Sequence, residues 1–247
     1  MDIFKDKPEN WRELEWKVTE IFSQCGFIAY NNAEIQTVRG TVNVDVLAID
    51  NNVTPNTTVL IECKHWNANI PQTVIHSFRT IVNDYGANHG LIICKNGFQS
   101  GSYEAIKNTN IKLLNWNEFL EMFELRWLQN SVKQIHEKGY RLRELTDRMS
   151  IDRLTEMTPE KIIQYNQLCE EFEPYSTISH KYWFEHNFTY NLTQKECIDR
   201  VKKKKKKDIL SSVQIDCYYD YFNHIINKCI EGQEILEKFI ECNKAQK

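Results

Sequence analysis

Two carboxylates and one lysine lie on adjacent strand candidates in the first half of the chain. The segments Thr41–Asp50 and Thr57–Lys64 read as strands, and six positions rich in turn formers separate them. A hairpin closed by this loop pairs residue i with residue 107 − i, which places Asp45 directly opposite Glu62. Opposed residues share a face of the sheet, and Lys64, two residues beyond Glu62, points to the same face. The spacing therefore predicts two acids and one base at one end of a hairpin.

This cluster suits metal-assisted hydrolysis of phosphodiester bonds. Facing carboxylates repel each other, and a divalent cation such as Mg²⁺ or Mn²⁺ bound between Asp45 and Glu62 relieves the repulsion. The backbone carbonyl of Cys63 is placed to supply a further oxygen ligand. The metal would polarise the phosphate and activate a water, and Lys64 would orient that water or stabilise developing charge. The alternative is a solvated ion pair on an exposed hairpin, because E-x-K triplets are common and a second one spans Glu15–Lys17.

A further acid lies on the first predicted helix, Trp11–Cys25. Apolar residues recur there at intervals of three to four, and Gly26 follows as a stop signal. Glu15 falls on the apolar side of this helix, four residues after Trp11 and three before Val18. Burial of an unpaired carboxylate is costly, so Glu15 predicts a partner, a metal or a wet cleft. We assign it to the outer shell of the metal site or to a second ion.

The remaining elements of this half predict a mixed α/β fold with a central sheet flanked by helices. A second amphipathic helix covers Pro71–Tyr85, and its polar stripe offers Gln72, His76 and Arg79 as candidate contacts to nucleic-acid phosphates. The other predicted elements are a short strand near 27–30, a strand at Gly90–Cys94, a helix at Ser102–Asn108 and a strand at Ile111–Leu114.

The stretch from Trp11 to Trp116 resembles the restriction-endonuclease-like, PD-(D/E)XK superfamily, in particular type IV restriction enzymes of the Mrr kind. Several blocks carry this resemblance in order, namely Glu15, Gly26-Phe27, Gly40-Thr-Val-Asn-Val-Asp45, Ile61-Glu-Cys-Lys64-His-Trp66, Ala87-Asn-His-Gly90-Leu-Ile-Ile and Gly97-Phe98-Gln99-Ser-Gly101.

The resemblance implies roles for the matching positions. Asp45 and Glu62 would be metal ligands, Lys64 the catalytic lysine and Glu15 an accessory acid. Gln72 matches a polar position in the helix after the lysine. The family's proline before the aspartate is Val44 here, a departure that leaves the chemistry intact.

The composition changes near residue 120, which predicts a nuclease domain at 1–120 and an all-α C-terminal domain at 121–247. Helices are expected at 118–149, from Thr158-Pro159 to a point before Pro174, and over about 193–242. Six lysines, Lys202–Lys207, form either a solvated charge run or a nucleic-acid patch. No family resemblance is evident in this half, which could recognise DNA, contact a partner or mediate oligomerisation.

Composition sets the cellular context. The formal charge is −3, so a global basic footprint is absent. No apolar run is long enough to span a membrane, and no secretory signal is evident. The eight cysteines form no CxxC pair, which favours reduced thiols in the cytoplasm. Trp66 and Trp116 could stack on bases, although covering a sheet edge is the more usual role.

The sequence thus predicts a Mg²⁺- or Mn²⁺-dependent endonuclease acting on DNA, in defence against foreign DNA. One alternative is a structure-specific or RNA-cutting nuclease on the same core. Another is an inactive nuclease-like module whose helical half binds or signals. A homodimer is compatible with the sequence, which reveals no dimer surface.

Overall fold

The computed structural model describes residues 3–148, 157–188, 196 and 215–244, with the backbone alone over 181–188. Internal contacts divide the chain into two compact units, Asp6–Trp127 and the combination of Met1–Lys5 with Leu128–Lys247. The dividing point lies seven residues beyond the predicted boundary at residue 120. The assignment of 1–120 and 121–247 as separate domains stays a prediction.

A five-stranded mixed sheet organises the first unit. Strands β1 and β2 pair antiparallel, as do β2 and β3, whereas β4 and β5 extend the sheet in parallel pairing, giving the spatial order β1-β2-β3-β4-β5. The predicted element order and the mixed central sheet are confirmed. The bounds are α1 Trp11–Gln24, β1 Ile28–Thr37, β2 Gly40–Asp50, β3 Thr57–Lys64, α2 Gln72–Tyr85, β4 His89–Cys94, α3 Ser100–Ala105 and β5 Ile111–Asn115.

Both faces of the β2–β3 hairpin are buried along most of its length. One face carries Val46, Ile61 and Cys63, all of them buried as the alternation predicts. The other face, which carries the two candidate acids, is also covered, because Leu60 belongs to a core cluster that includes α2. The polar cluster is therefore confined to the end of the hairpin and is not part of an exposed hairpin face.

Helix α2 approaches the sheet closely at Gly90 of β4. A Cβ atom at this position would lie 2.8 Å from Val82 and 3.0 Å from Phe78, so only glycine admits the helix at this distance. Gly86 ends α2 in a left-handed conformation with φ of 76°, as is usual for glycine after a helix. These two glycines set where the polar side of α2 lies.

The N-terminus of α1, which carries Glu15, is fixed by several contacts. The Asn10 side chain caps the helix by accepting a hydrogen bond from the Glu13 N–H at 3.0 Å. The ammonium of Lys17, a residue only 7% exposed, pairs with Glu13 at 2.7 Å and donates to the Asp6 carbonyl at 2.9 Å. Because these contacts satisfy the buried lysine, they hold the chain before the helix in place.

Strand β1 is much longer than the predicted short strand near 27–30, since it covers ten residues. Most of its side chains are exposed, and its sequence is rich in Asn, Glu and Gln, so the apolar alternation that marks a strand is weak. Its pairing with β2 along nearly its whole length stabilises the strand, which its own sequence pattern favours only weakly.

Within the part of the second unit that the structure describes, most residues lie in three long helices: α4 (Trp116–Thr146), which begins in the first unit, α5 (Pro159–Phe188) and α6 (Tyr218–Lys244). The prediction that a helix ends before Pro174 is wrong, because α5 continues through it. Phe172 and Ile178, on either side of the proline, are fully buried, and this packing outweighs the loss of one backbone donor. The lysine run Lys202–Lys207 lies outside the described residues.

No helix within the described ranges has both the length and the apolar character required to cross a bilayer.

Candidate active site

The hairpin register places the two candidate acids as predicted. Backbone pairing follows the expected rule from Asp50↔Thr57 to Val46↔Ile61. Asp45 and Glu62 are the next residues along their strands, directly beyond the last of these pairs. The acids therefore lie where the pairing between β2 and β3 ends.

The Asp45 side chain bridges the two strands at this point. Its Oδ2 accepts a hydrogen bond from the Cys63 N–H at 2.6 Å. In a strand, both backbone polar groups of one residue point to one neighbouring strand, and those of the next residue point to the other side. The carbonyl of Lys64 accepts from the Lys95 N–H, on the β4 side. The Cys63 carbonyl consequently faces the Asp45 side of β3, as a metal ligand in that position must.

Glu62 and Lys64 form an ion pair through Oε1 and Nζ. Their side chains are only 19% and 21% exposed. Burial, followed by the charge of Asp45, raises the pKa of Glu62 against the opposing effect of Lys64. For Lys64, burial alone would lower the pKa, but the contact with Glu62 and the charge of Asp45 outweigh it, so the pKa is raised. Lys64 accordingly remains protonated at neutral pH.

Glu15 belongs to the same electrostatic environment. Burial, together with repulsion from Asp45 and Glu62, raises its pKa from 4.5 to about 7, against the opposing effect of Lys64. This coupling means that α1 brings Glu15 near the end of the hairpin. The charges of all four residues predicted to act in catalysis are thus coupled, three acids with one lysine, and their joint action in one site stays a prediction.

The donor chemistry of the site fits a hard divalent cation. Two carboxylates and the Cys63 carbonyl offer the oxygen atoms that Mg²⁺ and Mn²⁺ prefer. Among the described residues, no three His, Cys, Asp or Glu side chains are arranged to hold a metal ion. The outer position of Glu15 stays a prediction.

The candidate nucleic-acid contacts on α2 differ in their availability. Gln72 and His76 are exposed. Arg79 is half-buried, and its Nη1 donates to the Ala105 carbonyl at the end of α3 at 3.3 Å. Part of its donor capacity is used within the fold, so contact with phosphate stays a prediction for all three residues.

The two tryptophans singled out in the sequence have different environments. Trp116 is 5% exposed and packs against Phe119, as expected of a covering residue. Trp66 is 43% exposed, and its ring centroid lies 5.7 Å from Nζ of Lys64. Sequence reasoning missed this contact, because Trp66 lies two residues beyond the end of β3, where strand alternation gives no guide.

Comparison with known proteins finds a family match within the first unit. Residues 7–123 match the Mrr_cat family model, described as restriction endonuclease. No curated protein matches the chain. One similar solved structure is the crystal structure of a protein of unknown function, AF1548, which is 15% identical and has a TM-score of 0.38. The match covers 78% of this chain and 95% of that one, a likeness too weak to carry an argument.

The matched segment contains the whole sheet and every candidate catalytic residue. Its order of elements, its mixed sheet and its acidic cluster at the end of the β2–β3 hairpin all agree with the family assignment. Residues 7–123 of this chain therefore match the restriction endonuclease model Mrr_cat, and their α/β fold is consistent with a Mrr-like nuclease.

Proposed function

We propose that this protein is an endonuclease that hydrolyses DNA phosphodiester bonds with the help of a divalent cation, in defence against foreign DNA. The observation that carries this proposal is the meeting of Asp45, Glu62 and Lys64 where β2 and β3 part, within a restriction endonuclease domain. An excess of acids over bases in a half-buried position is costly without a cation.

Each residue has a distinct task in the proposed reaction. Asp45, Glu62 and the Cys63 carbonyl would hold Mg²⁺ or Mn²⁺, which when bound supplies polarisation of the phosphate and a lower pKa for a bound water. Lys64 is protonated and would stabilise the negative charge that develops on the phosphate oxygens. Glu15 would orient water at the edge of the site. Water attack on phosphorus breaks one P–O ester bond, and the leaving oxygen takes up a proton.

DNA is the substrate that the family assignment favours, and the exposed Gln72 and His76 of α2 would contact its backbone. Action against foreign DNA follows from the same family relation and is an analogy at the level of the fold. The helical unit has no role in this proposal.

The direct test is incubation of the purified protein with plasmid DNA and Mg²⁺ or Mn²⁺. Wild-type protein should convert supercoiled DNA to nicked or linear forms, and EDTA should stop the reaction. Lys64→Ala should lose most of this activity and stay folded, because the side chain is at the end of the hairpin and outside the apolar core. The matched control is Lys107→Ala, since Lys107 also pairs with a nearby glutamate but on the exposed surface after α3.

Three results would contradict the proposal. Equal cleavage by wild-type protein and Lys64→Ala would show a contaminating nuclease. Activity on RNA or branched junctions without activity on duplex DNA would replace the proposed substrate. No metal-dependent cleavage of any nucleic acid would indicate an inactive module.

A further inference from the structure

Trp66 is an exposed aromatic residue in direct contact with the candidate catalytic lysine. It follows Lys64 by two residues, and the lysine Nζ lies 5.7 Å from the centroid of its ring. An ammonium within about 6 Å of an aromatic ring centroid is attracted by the negative charge of the π face. Lys64 therefore has two neighbours of different kinds, the carboxylate of Glu62 and the ring of Trp66.

The segment that carries Trp66 is tied to the chain after β4. Asn67, the next residue, accepts hydrogen bonds from Lys95 Nζ at 2.9 Å and from Asn96 Nδ2 at 3.1 Å. Further along, the Ile70 N–H donates to the Gly97 carbonyl at 2.9 Å. These bonds fix the backbone beside Trp66, so the ring lies next to Lys64 on an anchored segment.

The two neighbours of Lys64 respond differently to a bound cation. A carboxylate that ligates a divalent ion shares its negative charge with that ion, so the Glu62–Lys64 attraction weakens. The face of an indole ring does not ligate Mg²⁺ and takes up no proton at neutral pH. A cation on Glu62 therefore does not itself weaken the attraction between the Trp66 ring and the Lys64 ammonium.

We propose that Trp66 is a positioning residue that holds the Lys64 ammonium in place when Glu62 is engaged with a metal ion. This role rests on the proposed nuclease function. The competing role for an exposed tryptophan is stacking on a base of the substrate, which would contribute to binding. The two roles predict different kinetic effects.

The first experiment needs neither metal nor substrate. In ¹H–¹³C spectra of metal-free protein, the Lys64 ε-methylene signal, identified by its loss in Lys64→Arg, should lie upfield of other lysines because of the ring current of Trp66. Trp66→Leu should move it to the ordinary lysine position. The control Trp11→Leu should leave it unchanged, since exposed Trp11 contacts Arg12 instead, at 5.0 Å. An unshifted Lys64 signal in wild-type protein would overturn the proposal.

The second experiment measures plasmid cleavage kinetics for the same variants. Trp66→Leu should lower kcat roughly 3- to 30-fold, the range expected for a cation–π contact, with KM within about twofold of wild type. Trp66→Phe should recover much of the loss, because phenylalanine keeps an aromatic face. Trp11→Leu should be unchanged.

The outcomes separate this role from the function on which it rests. A rise in KM with unchanged kcat in Trp66→Leu would assign the ring to base stacking and overturn the positioning role. Unchanged kcat and KM would overturn any role for Trp66 while wild-type cleavage still supported the nuclease. Wild-type protein that cleaves no nucleic acid would overturn the proposed function, and the positioning role with it.

Discussion

Asp45 and Asp50 lie on the same strand, yet the fold balances the negative charge of only one of them with a paired cation. Asp50, whose side chain is 4% exposed, pairs with Arg126 at 2.7 Å and accepts from the Asn52 N–H at 3.0 Å. The hydrogen bond with Arg126, although opposed by burial, holds the pKa of Asp50 below its ordinary value. Its negative charge is balanced within the fold, so Asp50 has a structural role.

The acids at the other end of the strand lack this balance. Asp45 accepts a backbone N–H, and its neighbours Glu62 and Glu15 have raised pKa values. Lys64 is the cation that opposes them. Where a fold leaves several half-buried acids with too little positive charge, it stores unfavourable energy that a bound cation would release. The comparison therefore separates acids that stabilise the fold from acids that serve a reaction.

The largest expected effect is on the cleavage rate, when each of the two aspartates is replaced by asparagine and its charged carboxylate becomes a neutral amide. Asp45→Asn should lower DNA cleavage by roughly 10²-fold or more, because it removes a proposed metal ligand, while an amide oxygen can still accept the Cys63 N–H. Asp50→Asn should leave the cleavage rate per folded molecule within about twofold. Single-turnover cleavage assays of the two variants test this contrast. Similar losses in both would show that the two aspartates do not differ in role.

The free energy of unfolding should be affected more by Asp50→Asn than by Asp45→Asn, the reverse of the order for cleavage. Asp50→Asn should lower the free energy of unfolding by about 2 kcal/mol, since it removes the charge-assisted bond between the buried Asp50 side chain and Arg126. Metal-free Asp45→Asn should be as stable as wild type or more stable, because one of the repelling charges is gone. Urea denaturation in EDTA measures both values. A larger loss for Asp45→Asn would contradict the assignment.

Cation binding should stabilise only the protein that retains the acidic cluster. Mn²⁺ at about ten times its dissociation constant should stabilise wild-type protein by about 1.4 kcal/mol and raise Tm by a few degrees. Asp50→Asn should gain as much as wild type, and Asp45→Asn should gain little. A thermal shift series with and without Mn²⁺ provides the measurement. An equal shift in all three proteins would place the ion elsewhere.

The remaining effects are opposite dependences of stability on pH. Glu15 has a folded-state pKa of about 7 against an ordinary value of 4.5, so metal-free protein should lose stability as pH rises between these values. Glu15→Gln should reduce that loss and leave the part that comes from Glu62, whose pKa is also raised. Asp50 has a lowered pKa, so its contribution is present above about pH 4 and disappears as pH falls through the folded-state value.

Denaturation curves between pH 3 and pH 7.5 in EDTA test both signs. The difference between wild type and Asp50→Asn should shrink towards low pH, and the advantage of Glu15→Gln should grow towards pH 7. Parallel curves for wild type and Glu15→Gln would show that Glu15 titrates normally.

The sequence was most informative where local pattern and tertiary structure agree. The strand Thr57–Lys64 has the predicted bounds, and the register up to Val46↔Ile61 follows from the length of one loop. Glu15 was recognised because a carboxylate on an apolar stripe breaks a simple rule. Spacing and periodicity therefore predicted this cluster together with the resemblance to a known family, and spacing alone left the solvated ion pair open.

Other features depend on long-range contacts that a local pattern does not encode. The length of β1 comes from its pairing with β2, and the continuation of α5 through Pro174 comes from packing around it. The partnership of Asp50 with Arg126 joins residues 76 positions apart, and no local signal marks it. For the same reason, the sequence did not reveal the hydrogen bond from Arg79 to the end of α3.

The bond from the Cys63 amide to Asp45 limits how that carboxylate can serve an ion. Because Oδ2 is occupied by the backbone, Oδ1 is the freer oxygen, and Asp45 would act as a monodentate ligand. With one oxygen each from Glu62 and Cys63, the protein would fill about half of the octahedral shell of Mg²⁺. The vacant half would then be shared by solvent and a phosphate oxygen, so the substrate itself would complete the coordination sphere.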